Sequence, residues 1–238
     1  MKFKKSILAI IFAIGTILFW SACTSSSKSG ENETEEHSHE EESDHDEDGH
    51  ENDDSTSTEG GNELAWTFSD SDEDIFSKSF HFVMGSAQNL EVTASGNSAT
   101  FNANGSPTAF VFHNKVGNVG VEASYMLHGF EGEIKLVHHF KDEQNYEFVS
   151  VNGDQMKLGR VINGEEDIFD EKSFEAESTG WIYLRVSAAG SHFKGYIGSE
   201  TITHGHGDEL DPGYAGMMIN GKGSFMVKDI KATIMESE

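Results

Sequence analysis

The sequence predicts an all-β protein, a two-sheet antiparallel jelly-roll sandwich preceded by a disordered acidic tether. Three observations carry that expectation. From Leu64 onward apolar and polar residues alternate in short runs broken by Gly, Asn, Asp and Ser, the period-two signature of half-buried strands. No segment keeps a 3.6-residue apolar stripe for three helical turns. The two prolines, Pro107 and Pro212, fall between predicted strands, where a missing N–H removes no ladder hydrogen bond.

The first element is a signal. Lys2, Lys4 and Lys5 precede an apolar run over 7–19 that is too short to span a bilayer comfortably. Ser21 and Ala22 then lead into Cys23, the single cysteine. One thiol excludes an intrachain disulfide framework and any zinc site built on two thiolates. The segment resembles the lipobox of bacterial lipoproteins, with Trp20 in place of the usual leucine. That resemblance implies cleavage after residue 22, a diacylglycerol on the Cys23 thiol and attachment to a membrane through acyl chains. Thr24 is not the aspartate that retains many lipoproteins at the inner membrane, so the resemblance favours the outer membrane of the cell envelope. A secreted protein with a free thiol, or an uncleaved anchor beginning at Met1, are the alternatives.

Residues 23–62 form the second element. Their Ser, Thr, Glu, Asp, Asn and Gly cannot bury enough apolar surface to offset ordering entropy, which predicts an extended, self-repelling linker. The formal charge of −26 divides almost equally between this stretch and the rest of the mature chain. No basic stripe exists to displace counterions from a phosphate backbone, so nucleic acid is excluded as a partner and cations are favoured. His37, His39, His45 and His50 stand among the carboxylates, a donor set suited to Zn, Ni or Cu(II). They are read either as a weak multi-site metal buffer or as incidental residues of a solvated spacer.

The third element, residues 63–238, is the sandwich. Strands are predicted over 64–68, 79–84, 89–94, 99–102, 109–116, 119–127, 133–140, 146–151, 155–162, 166–170, 181–188, 192–197, 200–204, 215–220 and 224–235. Asn152-Gly153 and Asn163-Gly164 mark hairpin turns. Ile182, Leu184 and Val186 alternate with Trp181, Tyr183 and Arg185, which places the aromatic and cationic set on the face turned away from the core.

Several strings then carry a family resemblance: Asn145-Tyr146-Glu147-Phe148-Val149, Lys157-Leu158-Gly159-Arg160-Val161, Trp181-Ile182-Tyr183-Leu184-Arg185-Val186 and Phe193-Lys194-Gly195-Tyr196-Ile197. Together they resemble the concanavalin A-like lectin/glucanase superfamily, nearest its laminin-G-like and 3-keto-disaccharide hydrolase domains. The resemblance covers the last hundred residues well, and 64–130 by strand count. It implies a glycan held on one sheet by aromatic rings and polar side chains. Arg160, Trp181, Tyr183, Arg185, Lys194 and Tyr196 are the candidates, with core or rim packing as the alternative for each aromatic.

No catalytic residue is assigned. The E-x-D-x-x-E strand of laminarinase-type relatives is absent from the sandwich, residues 63–238, since Glu131-Gly132-Glu133 lacks the spacing and Glu147 stands alone on its strand. HExxH, GxSxG and phosphate-binding glycine loops are absent too. His204-Gly205-His206-Gly207-Asp208 offers two imidazoles followed by carboxylates for a metal, but with no third ligand identified the preferred reading is a tight turn in which His204 ends a strand. His138-His139, on one predicted strand, is expected to point its rings to opposite faces. Calcium and zinc are the cofactors left open. The preferred function is non-catalytic binding of a glycan or envelope protein. Hydrolysis of 3-keto-disaccharides or glycosides, and metal buffering by the tether, are the alternatives.

Overall fold

The computed structural model describes residues 62–70, 73–175 and 180–235. The signal, Cys23 and the tether histidines His37, His39, His45 and His50 lie outside the described residues.

Thirteen antiparallel strands form the fold, and two of them explain its shape. Strand β6 (Val119–Asp142) and strand β13 (Gly213–Ile234) run 24 and 22 residues, far beyond the usual strand length. They pair along almost their whole length and bend together, so each serves both layers. The bend falls at Gly129, Gly132 and Gly223, all with positive φ. A side chain on Gly132 would strike the Asn220 carbonyl, and one on Gly223 the Gly129 carbonyl. Each long strand was expected as two. The glycines that mark a break in the alternation turn the backbone without ending its ladder.

In the first sheet β6 and β13 are flanked by β10 (Trp181–Ala189), β11 (His192–Ile197) and β12 (Glu200–His206) on one side. On the other side lie β1 (Glu63–Thr67), β4 (Ser98–Asn104) and β3 (Leu90–Ser95). In the second sheet the same two strands are flanked by β7 (Asn145–Asn152), β8 (Gln155–Ile162) and β9 (Glu165–Ser173), and opposite them by β5 (Thr108–Val116) and β2 (Phe80–Met84). The turns follow their residues. Asn163 and Gly164 both take positive φ, as a type I′ hairpin requires, whereas in the preceding hairpin Gly153 alone does so.

The layers close over a continuous apolar core. At one end Trp66, Phe76, Phe80, Phe101 and Phe110 interlock edge to face, with ring centroids 5.0 to 6.2 Å apart. Phe76 comes from the one α-helix among the described residues, α1 (Glu73–Ser79), which the sequence did not announce. Two turns are too few to display a periodic stripe. A second cluster, including Val111, Val137, Tyr146 and Phe148, lines the far face of the second sheet. Lys135 lies over Phe148, its Nζ 3.9 Å from the ring centroid, so both faces of β7 are covered.

Candidate functional site

Strand β10 alternates as expected, with Ile182, Leu184 and Val186 buried beneath outward Trp181, Tyr183 and Arg185. Its register with β6 and β13 builds two rows across the first sheet. One runs Tyr183, Ser124, Asp229 and the other Arg185, Glu122, Lys231. Ser124 Oγ donates to Asp229 Oδ1 at 3.0 Å, and Lys231 Nζ lies 3.8 Å from Glu122 Oε1. On the opposite side Arg185 pairs with Tyr196 of β11, the guanidinium 4.0 Å from the ring centroid. This cation–π contact holds the guanidinium over the ring. Arg185 Nε has no hydrogen-bond partner. Tyr183 is 39% exposed, the one large apolar side chain so exposed among the described residues. A shallow cleft of about 130 Å³ opens beside it, lined by Glu122, Ser124, Tyr183, Arg185 and the turn residue Gly198.

The structure thus brings Tyr183, Arg185 and Tyr196 together. Trp181 is on the same face one step farther along β10, with Lys228 Nζ 4.0 Å from its ring centroid. Lys194 is exposed beside them, its ladder neighbours being Ser187 and His204. Arg160 stands apart. It sits on β8 in the second sheet, with its guanidinium 5.2 Å from the Phe169 ring centroid and Nε 3.4 Å from Asp167 Oδ2. Glu122, Ser124 and Asp229 were not singled out from the sequence. Glu122 and Ser124 do fall in the polar phase of their strand, but only the β10 register shows what they face.

The His204-Gly205-His206 segment is strand rather than turn. Gly205 points inward, where a side chain would overlap Phe169 of β9, so both flanking imidazoles point outward. The ladder then sets His206 opposite His192 of β11. All three rings are exposed, with centroids 4.6 Å apart in the His192–His206 and His204–His206 pairs, and one donor atom from each within 4.8 Å of the others. Asp208 is not among the converging groups. His192 supplies the third imidazole that the sequence did not reveal, because a cross-strand neighbour becomes visible only when the register is known. Slight desolvation by its neighbours, followed by the nearby positive charges of His206, Lys194 and His192, lowers the His204 pKa against the opposing pull of Asp170.

His138 and His139 do not point to opposite faces. A register shift follows His138, and His139 adopts φ 47°, so the bulge turns both rings toward one carboxylate. His139 Nδ1 lies 2.9 Å from Glu147 Oε2, His138 Nδ1 lies 3.3 Å from the same oxygen, and the two Nδ1 atoms are 2.9 Å apart. All three residues are buried. Burial pushes the Glu147 carboxyl up, but hydrogen bonds from the two histidines outweigh it and hold the group at about 2. Burial depresses the His138 pKa. Glu147 is therefore an internal anion turned away from the exposed cleft.

No family model matches the chain, and no curated protein matches it in sequence. Solved structures do resemble it. A carbohydrate-binding module from Bacillus subtilis superposes with a TM-score of 0.54 at 16% identity, over 66% of this chain and 96% of that one. A β-glucanase from Bacillus licheniformis gives 0.55 at 10% identity, over 74% and 99%. A Bacillus subtilis protein of unknown function with a galectin-like fold gives 0.60 at 8% identity, over 76% and 99%. The sandwich therefore has the concanavalin A-like jelly-roll fold, and at these identities the likeness speaks to fold alone.

Proposed function

We propose that this protein is a cell-envelope lipoprotein, anchored through Cys23, whose sandwich binds a glycan without cleaving it. The observation that carries the reading is the exposed Tyr183 ring flanked by Glu122 and by Arg185, whose guanidinium lies over Tyr196. A pyranose offers C–H faces to a tyrosine ring and hydroxyls to a guanidinium and a carboxylate, the division of labour expected of a shallow binding site. The fold supports the reading, since a carbohydrate-binding module and a glucanase share it. Against catalysis stands the cleft's acid content. Among the described residues lining it, Glu122 is the one carboxylate, whereas glycoside hydrolysis of the usual kind takes two.

A glycan array followed by calorimetry tests the proposal. Saturable binding is expected to weaken tenfold or more in Tyr183→Ala and in Arg185→Ala, with unfolding midpoints unchanged. An array without hits, or unaltered affinity in both variants, overturns it. Palmitate labelling of the full chain in cells, lost in Cys23→Ser, tests the anchor.

The exposed imidazoles favour a second reading, divalent-metal capture at His192, His204 and His206 with the tether histidines as an additional reservoir. Zinc titration separates the contributions. Replacing His37, His39, His45 and His50 by alanine is expected to remove the weak sites and leave an exposed edge site that His192→Ala abolishes.

A further inference from the structure

We infer that His138, His139 and Glu147 form a buried site for a first-row divalent metal of the zinc class, distinct from the glycan-binding face. Three donor atoms converge there, with mutual separations of 2.9, 2.9 and 3.3 Å. Zinc binds imidazole nitrogen and carboxylate oxygen at about 2.0–2.2 Å, so donors stand about 3.3–3.6 Å apart in a tetrahedral shell and about 2.8–3.1 Å apart in an octahedral one. The observed triangle spans these two spacings, and a shift of a few tenths of an ångström seats a tetrahedral ion on it. Two nitrogens among three donors disfavour calcium and magnesium, which take oxygen.

Protons alone do not satisfy this triangle. With no hydrogen on either Nδ1, three sets of lone pairs face one another. With a hydrogen on His139 Nδ1, the lone pair of His138 Nδ1 meets the carboxylate oxygen at 3.3 Å. A hydrogen on His138 Nδ1 instead leaves the His139 lone pair against that oxygen at 2.9 Å. When both carry hydrogen, two N–H groups confront each other with their nitrogens 2.9 Å apart. A single N–H on His139 shared between His138 Nδ1 and Glu147 Oε2, at 2.9 Å each, leaves those two acceptors side by side at 3.3 Å, and the other placements set like groups against each other in a buried site, where solvent screening is weakest. A cation at the centre makes all three contacts attractive. Its cost is an Nε2–H on His138 with no acceptor, held where that ring stacks on Phe193 at 22°.

The backbone also invests in this arrangement. His139 occupies the left-handed region, which a non-glycine residue enters at some cost, and doing so brings its ring onto Glu147. Gly213 of β13 is packed against the His139 backbone so closely that any side chain would collide with it. Glu147 Oε1 has no hydrogen-bond partner, leaving a free lone pair for a metal-bound water.

The test uses the full chain with His37, His39, His45, His50, His192, His204 and His206 replaced by alanine, which removes the accessible imidazoles of the tether and the sheet edge. After chelation and dialysis, Co²⁺ titration is expected to saturate at one equivalent per chain with visible ligand-field bands, and Zn²⁺ to displace it. Adding Glu147→Gln abolishes the bands. Because that variant risks misfolding, a second measurement keeps the site intact: Zn²⁺ is expected to raise the melting temperature of the chelated protein by about 5 °C, and EDTA to reverse the rise. Absence of stoichiometric cobalt bands together with a melting temperature indifferent to zinc and chelator overturns the inference. Glycan affinity is read separately and bears on neither outcome.

Discussion

The two histidine clusters use the same kind of donor at opposite depths. His192, His204 and His206 stand exposed on the outer face of the β11–β12 edge, in ring contact with one another. His138, His139 and Glu147 are buried between the sheets, where the two Nδ1 atoms face each other and the Glu147 carboxylate. Exposure makes the first set exchangeable, able to gain or lose a ligand while the fold stands. Burial makes the second structural, because an unmet charge or N–H there costs far more than it does in water.

The largest test of that contrast is Glu147→Ala. It leaves two buried imidazoles facing a void, and breaking a buried hydrogen-bonded ionic group costs about 3 kcal/mol or more. Urea unfolding with an unchanged m-value measures it, and a loss under about 1 kcal/mol would put the interior cluster on the same footing as the surface one. Gly213→Ala comes next. Its methyl group meets the His139 backbone rather than a movable side-chain tip, so a cost of about 1–3 kcal/mol is expected, with disturbance of the bulge visible in the His138 and His139 NMR resonances.

How far these clusters could be read in advance follows from the same geometry. The strand pattern, both hairpins and the outward phase of Trp181, Tyr183 and Arg185 were legible, because period-two alternation encodes the face of each residue. The bulge at His139 was not. The sequence His138-His139-Phe140 alternates nothing, and a shift of one residue exchanges faces without a compositional signature. His192 was hidden for a different reason. It lies 14 residues before His206, and their proximity comes from the β11–β12 ladder rather than from spacing. Gly205 shows a third kind of loss, since a glycine placed between two histidines for the sake of Phe169 looks the same in sequence as a glycine placed for a turn.

His192→Ala tests the exposed side of the comparison. The melting temperature is expected to stay within about 2 °C of the parent, as for most surface substitutions, while zinc affinity at the edge falls tenfold or more with the loss of one of three donors. A large drop in stability would mean that the edge cluster supports the fold after all.

The smallest expected effect concerns motion, and it separates the clusters without any mutation. Strand β12 has one ladder partner, β11, and its remaining edge is partly occupied where Asp170 Oδ2 accepts the His204 N–H at 3.1 Å. Strand β7 has partners on both sides and is covered on both faces. Amides of β7 should therefore exchange only through the largest openings, while those near His204 and His206 exchange through local fraying. Zinc bound across His192, His204 and His206 ties β12 to β11, and is expected to slow exchange at that edge about two- to tenfold beyond any slowing in β7. Equal slowing in both strands would point to the interior cluster as the tighter metal site. No slowing at the edge would reduce the three exposed imidazoles to bystanders.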